Sequence, residues 1–174
     1  KGIAGQSTRS QFVPSVASGV RGLSEHLTKL VEAGKRDKAT ELLERSILQH
    51  VRTVAKSGGG RWDYDMLNTV RQLKSSHGPL YEEFLEAEKP GKGASTEERI
   101  QFAYLLHLNG EVVKSGEQFE LALKNLEGSA RVRQLPAAAM IVAASSPEAG
   151  SALRAELDTP KARALLRVSR SFWG

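Results

Sequence analysis

The fold class of this chain is decided by residues 95–126, STEERIQFAYLLHLNGEVVKSGEQFELALKNL. Ser95 and Glu98 have the spacing of a capping box, in which a serine hydroxyl and a glutamate carboxylate each satisfy an exposed backbone amide at a helix start. Apolar residues then recur at spacings of three and four from Ile100, pause at Gly110 and resume afterwards. The stretch therefore predicts two helices joined by a short turn, which is an antiparallel helical hairpin.

The same periodicity extends in both directions from this hairpin. Apolar positions repeat at helical spacing over residues 16–31 and 39–54 with Gly34 between them, and shorter helices are predicted around residues 66–73 and 80–85. After residue 126, we expect a short apolar helix following Pro136 and two helices that start at Pro147 and Pro160. No segment alternates as a strand would. The sequence predicts an all-α fold, built as an array of antiparallel helical hairpins with about 8–9 helices. A degenerate helical repeat is one form that such an array can take.

The predicted helices also specify a core and a domain organisation. The large apolar residues that we expect to be buried are Leu43, Ile47, Phe84, Phe102, Leu106 and Phe119. A chain of 174 residues suits one sizeable core, so residues 13–174 are predicted to form a single helical domain. Residues 1–12 lack a periodic apolar face and are predicted to be a flexible tail. Gly19 and Gly22 make a smooth surface in the first helix, where a second helix is expected to approach closely.

Composition and motif spacing favour a protein that is not an enzyme. The absence of cysteine excludes disulfides, thiolate metal sites and a cysteine nucleophile. The four histidines show no spacing that would place two on one metal ion, and the glycine-rich stretches 58–60 and 91–93 lack the sequence of a nucleotide-binding loop. We therefore predict no catalytic residue, no metal site and no cofactor. Catalytic groups that converge from distant helices remain an alternative, because they leave no local motif.

Hydropathy predicts no transmembrane segment. The longest nearly uncharged apolar run, residues 135–144, is about half of the roughly 20 residues that span a bilayer. The cytoplasm or an organelle matrix is the favoured location. Because the chain begins with Lys1, it is expected to be a fragment or a processed product.

The charge distribution points to the final helix as a candidate binding element. The net charge of +5 is divided between two basic ends and an acidic middle, since residues 61–128 carry 8 basic against 12 acidic side chains and residues 129–174 carry 7 against 3. The candidate residues for binding a partner or an anion are Lys161, Arg163, Arg167, Arg170, Phe172 and Trp173. Such a basic amphipathic segment suits an anionic membrane, nucleic-acid phosphates or a protein groove. Alternatively, Leu165 and Leu166 pack on the core and the arginines are merely solvated.

Two hairpins share a further spacing. Counting five, nine and twelve residues onward from Gly34 and Gly110 gives Ala39, Leu43 and Ser46 in one hairpin, and Ser115, Phe119 and Ala122 in the other. This small-large-small pattern resembles the second helix of a tetratricopeptide repeat and, more loosely, a pentatricopeptide repeat. Residues 99–127 carry the better match, with Ala103 at the small position of the first helix, although Leu106 occupies its aromatic position. The resemblance implies stacked helical hairpins that bind other macromolecules.

These observations lead to three functional hypotheses. The favoured one is a non-enzymatic helical scaffold, or a subunit of a larger assembly, that binds a protein partner. The second is an RNA-binding helical-repeat protein of an organelle ribosome or RNA-processing complex, in which the basic ends contact phosphates. The third is a bacterial effector domain that acts on a host protein. Oligomeric state and the identity of the partner are not specified by the sequence.

Overall fold

The computed structural model describes residues 20–56 and 64–173, with side chains for residues 22–56 and 66–167. These residues form helices and no strands. In chain order the helices are α1 (Val20–Glu32), α2 (Arg36–Leu43), α3 (Gln49–Lys56), α4 (Tyr64–Ser76), α5 (Gly78–Ala87), α6 (Thr96–Leu108), α7 (Val112–Leu123), α8 (Gly128–Ala143), α9 (Pro147–Leu157) and α10 (Pro160–Trp173). A π-helical turn, Glu44–Leu48, joins α2 to α3 without a break. The predicted all-α helical array is confirmed over the described residues; the predicted tail, residues 1–12, lies outside them.

Local sequence signals account for the helix ends. Gly34 and Gly110 have φ angles of 71° and 80°, the left-handed conformation that glycine adopts at little cost after a helix. In each turn, the amide of the residue after the glycine donates to a carbonyl near the end of the preceding helix, as in a Schellman motif. The bond from Lys35 N to the Leu30 carbonyl is 2.8 Å long, and the corresponding bond after Gly110 is 3.0 Å long. The capping box is confirmed, with the Ser95 hydroxyl accepting from the Glu98 amide at 3.1 Å. All six residues predicted to be core are buried.

The described residues divide into two compact units, residues 20–49 with 64–84 and residues 50–56 with 85–173. In the first, α1 packs against α2 and α4, and the side chains of Leu23 and Leu27 are buried. The Thr28 hydroxyl donates to the Ser24 carbonyl at 2.9 Å and lies 3.0 Å from His77 Nε2. When the single hydroxyl proton is directed to the Ser24 carbonyl, His77 Nε2 is the donor in the second bond. This bond fixes the α4–α5 junction against α1.

The close helix approach predicted at Gly19 and Gly22 is not found at Gly22. A Cβ atom added at Gly22 would meet nothing within 4 Å, while Gly19 lies outside the described residues. Among the described residues, no helix therefore approaches α1 at Gly22. The sequence pattern failed here because a smooth helical surface permits a close contact without requiring one.

In the second unit, α6 and α7 pack against each other as predicted and α8 follows. The Ser115 hydroxyl donates to the Ala103 carbonyl at 2.7 Å, so the two helices touch at small residues. Tyr104 and Phe119 fill the adjacent space edge to face, with ring centroids 5.2 Å apart. The helices α9 and α10 then pack on α8, which makes α8 the central helix of this unit.

The predicted helix start at Pro136 is wrong. Helix α8 begins at Gly128 and runs through Pro136 to Ala143. An interior proline costs a helix about 3 kcal/mol, since it removes a backbone hydrogen bond and crowds the preceding turn. Here the flanking residues are buried on several sides, including Leu135 and Ile141, while Pro136 faces solvent. Burial on both sides of the proline offsets its cost and keeps one helix.

A buried polar network ties α8 to two other helices. The Gln134 amide donates to the Ala55 carbonyl near the end of α3 at 2.8 Å, and its oxygen accepts from the Tyr104 hydroxyl at 3.2 Å. Burial raises the pKa of Tyr104, so this hydroxyl stays protonated and remains a donor. Gln134 thereby bonds a carbonyl near the C-terminal end of α3, where the last carbonyls of a helix have no partner within the helix itself.

Candidate interaction site

The outer face of α7 carries apolar side chains that the fold leaves exposed. Ser115, Phe119 and Ala122 are buried on its inner face, whereas Val113 is 59% and Leu121 48% exposed. These two residues lie eight positions apart, which places them on the same side of the helix. Among the described residues, Met140 on α8 is the one other large hydrophobic side chain with comparable exposure.

An open groove of about 550 Å³ runs beside this face, within the second unit. Its lining residues come from α7, α8, α9 and the turn after α7, and they are Glu117, Glu120, Leu121, Leu123, Lys124, Arg131 and Leu153. Leu123 is buried, Leu153 is half-buried and Leu121 is exposed, so the groove has apolar walls and a charged edge. Its volume lies within the roughly 300–1,000 Å³ of sites that enclose a ligand group or side chain.

Close contact between α8 and α9 shapes one wall of the groove. A Cβ atom added at Gly150 would lie 2.5 Å from Ala143 Cβ and 2.9 Å from the Ala139 carbonyl oxygen. Only glycine allows the two backbones to approach this far. Gly150 therefore sets the position of α9, and Leu153, one turn later on that helix, lines the groove.

Three hydrogen bonds hold the guanidinium of Arg131, one of the residues that line the groove. Its Nε and one terminal nitrogen donate to the Glu156 carboxylate at 2.6 and 2.9 Å, and the other terminal nitrogen donates to the Leu123 carbonyl at 2.6 Å. Hydrogen bonding to Arg131 lowers the pKa of Glu156, and the same bond raises the pKa of Arg131. This bidentate pair joins α8 to α9 and also occupies a carbonyl at the end of α7.

The other charged groups along the groove are not paired. Within the described part of the chain, Glu117, Glu120 and Lys124 have no hydrogen bond or ion pair to another side chain, and all three are exposed. Glu117 and Glu120 precede Leu121 on the α7 surface, while Lys124 follows the last turn of that helix. Because Arg131 is already neutralised by Glu156, two acidic groups and one basic group remain free to meet a ligand.

Of the residues predicted to bind a partner, Lys161, Arg163 and Arg167 have described side chains, which lie on α10 and do not line the groove. Lys161, Arg163 and Arg167 are exposed, and Arg163 makes a loose ion pair with Asp158 at 3.7 Å. Ala162 is buried, and Leu165 and Leu166 pack against the cluster around Leu135 on α8. The apolar side chains described on α10 are thus directed to the core. The side chains of Arg170, Phe172 and Trp173 lie outside the described residues.

Sequence reasoning missed the groove because its parts come from three helices that are distant along the chain. The available signal was on α7, where Val113 and Leu121 interrupt an otherwise polar outer face. Over the ranges 20–56 and 64–173, no cluster of three or more histidine, aspartate or glutamate side chains is arranged to hold a metal ion. None of the described helices combines the length and hydrophobicity needed to cross a membrane. No protein-family model, curated protein or solved structure matches this chain.

Proposed function

We propose that this chain is a non-enzymatic helical scaffold, or a subunit of a larger assembly, that binds a protein partner through the groove beside α7. The observation that carries the proposal is the half-exposed Leu121 beside an open groove whose walls include Leu123 and Leu153. Rigid helices hold these side chains in place, so a partner does not have to order the surface it binds. The resemblance of residues 99–127 to a tetratricopeptide hairpin supports the same kind of function.

The exposed side chains set the scale of the interface. Burying a whole valine or leucine side chain contributes about 1.5–3 kcal/mol, so covering the exposed halves of Val113 and Leu121 contributes about 1 kcal/mol each. That is less than the roughly 8 kcal/mol of a micromolar complex. A stable partner must therefore cover the groove and the surrounding helix surfaces, up to the roughly 800 Å² per side of a standard interface.

The proposal is tested by affinity purification of the natural protein with two matched variants. Leu121→Asp places a charge at the groove, and Met140→Asp makes the same change at an exposed residue outside its lining. Both sites face solvent, so both variants are expected to fold and give the same circular dichroism spectrum. We expect a polypeptide that co-purifies with the wild type and with Met140→Asp, and that is lost with Leu121→Asp. Equal recovery with all three proteins would contradict the proposal.

A second candidate function, RNA binding, is favoured by one observation: Lys161, Arg163 and Arg167 are all exposed on α10. If these cations contact phosphates, binding releases condensed counterions and the affinity falls steeply with salt concentration. The test is RNA binding titrated at several salt concentrations for the wild type and an Arg163→Ala/Arg167→Ala double variant. Micromolar or tighter binding whose salt dependence weakens in the variant would favour this function over the protein scaffold.

A further inference from the structure

We propose that the groove beside α7 selects a cationic amphipathic segment of a partner protein, one that places a leucine-like side chain against Leu121 and Leu153 and Lys or Arg side chains against Glu117 and Glu120. This inference rests on the proposed function and adds the chemistry of the partner. The apolar walls of the groove favour an apolar side chain of the partner as the anchor. The unpaired charges of the groove favour side chains of opposite charge around that anchor.

The charge argument depends on Arg131. A cation inside a groove would ordinarily attract an acidic ligand, but Arg131 donates to both oxygens of Glu156 and to the Leu123 carbonyl. Its charge is therefore compensated before any ligand arrives. Glu117 and Glu120 have no such compensation among the described residues, and both precede the groove-lining Leu121 on α7, Glu117 by one turn and Glu120 by one residue. A ligand that carries cations would complement these two exposed carboxylates.

Lys124 gives the bound segment a direction. It lies one turn beyond Glu120 at the C-terminal end of α7, where the carbonyls of the helix end also favour cations. A segment that runs along the groove meets two carboxylates at one end and one ammonium group at the other. Its Lys or Arg side chains belong beside Glu117 and Glu120, and any acidic side chain belongs beside Lys124.

Two other occupants fit this chemistry less well. A nucleic acid would bring phosphates against Glu117 and Glu120, and like charges at an interface oppose binding. A second copy of this chain would offer the cations of α10, but Leu165 and Leu166 of that helix already pack on its own core. Within the described residues, α10 therefore lacks a free apolar anchor for the groove.

The experiment uses the full chain and a displayed library of random 16-residue peptides. Peptides are selected on the wild-type protein, resynthesised with a fluorescent label and titrated against three variants: Leu121→Asp, Glu117→Lys/Glu120→Lys, and Glu82→Lys/Glu86→Lys. The last is the matched control, since Glu82 and Glu86 are exposed acids on α5 and the double change alters the net charge by the same amount. Titrations are repeated at low and high salt, with single-stranded RNA added as a competitor.

We expect selected peptides with a net positive charge and at least one Leu, Ile or Phe residue. Leu121→Asp should weaken their binding at least tenfold. The Glu117→Lys/Glu120→Lys variant should also weaken it at least tenfold at low salt, with a smaller loss at high salt, while the control variant stays within threefold of the wild type.

Several results would overturn the inference. Peptides that depend on Leu121 but are neutral or acidic, or that bind equally after charge reversal at Glu117 and Glu120, would refute the cationic partner and leave the proposed function standing. Equal losses in the charge-reversal and control variants would show that net charge alone is responsible. Displacement of the peptides by RNA would assign the surface to a nucleic acid. Failure to select any peptide that depends on Leu121 would refute both the inference and the proposed function.

Discussion

Replacing Gly150 by alanine tests whether the α8–α9 contact is as close as the structure shows. In an open helical position the change from glycine to alanine stabilises a protein by about 1 kcal/mol, because alanine loses less conformational freedom on folding. At Gly150 the new methyl group would lie 2.5 Å from Ala143 Cβ, 2.7 Å from Ala143 Cα and 2.9 Å from the Ala139 carbonyl oxygen. Two of these three atoms belong to the α8 backbone, which cannot move aside by a side-chain rotation.

The expected cost follows from these contacts. Overpacking a well-filled interior costs about 1–3 kcal/mol, and a clash with backbone belongs at the upper end or beyond it. We therefore expect Gly150→Ala to lower the free energy of unfolding by about 2 kcal/mol after the helix-propensity gain is included. Gly22→Ala is the control, since its methyl group meets nothing within 4 Å, and it should raise stability by about 0.5–1 kcal/mol.

Chemical denaturation followed by circular dichroism measures both variants. Gly116 supplies an internal check in the same unit as Gly150, because a methyl group there would lie 2.8 Å from Ser145 Oγ, which is a side-chain atom. Gly116→Ala should become harmless or stabilising when Ser145 is also changed to alanine. If Gly150→Ala is as stable as the wild type or more so, the close approach of α8 and α9 is refuted, and with it the position of Leu153 in the groove.

Three further predictions concern polar groups. Ser95→Ala should destabilise the protein by about 1 kcal/mol in thermal or chemical unfolding, since it removes the capping box of α6; no loss would mean that the cap forms no net stabilising contact. Glu156→Gln should reduce stability at neutral pH and flatten its fall in acid. The pKa of Glu156 is depressed by Arg131, so its contribution is present above the ordinary value of 4.5 and is lost as the pH falls through the lowered folded pKa; parallel stability–pH curves for variant and wild type would contradict this. Tyr104→Phe should cost about 1–2 kcal/mol by removing the donor to the buried Gln134 oxygen, and an unchanged denaturation midpoint would show that another donor replaces it.

Much of the fold could be predicted because its signals are local. The turns at Gly34 and Gly110 and the cap at Ser95 depend on residues within one helical turn, and the helical periodicity identified buried residues such as Phe119. The error at Pro136 has the opposite origin. Proline is a strong local stop signal, but tertiary burial around Leu135 outweighed it.

The candidate site could not be predicted in the same way. Its groove requires Leu121, Arg131 and Leu153 to converge from three helices, and the neutralisation of Arg131 depends on Glu156, 25 positions away. No short motif contains such pairs. The close approach at Gly150 that positions α9 was not predicted, and none is found at Gly22, because a sequence shows which helices are smooth but not which surfaces meet.

The central claim, that a protein partner binds in the groove beside α7, is tested most directly by amide hydrogen exchange. The chain is measured alone and in complex with the polypeptide that it captures. We predict slower exchange over residues 112–124 and 147–157, which carry Leu121 and Leu153, and unchanged exchange over residues 160–167. Protection confined to residues 160–167, with none on α7 or α9, would contradict the claim and direct attention to the basic surface of α10.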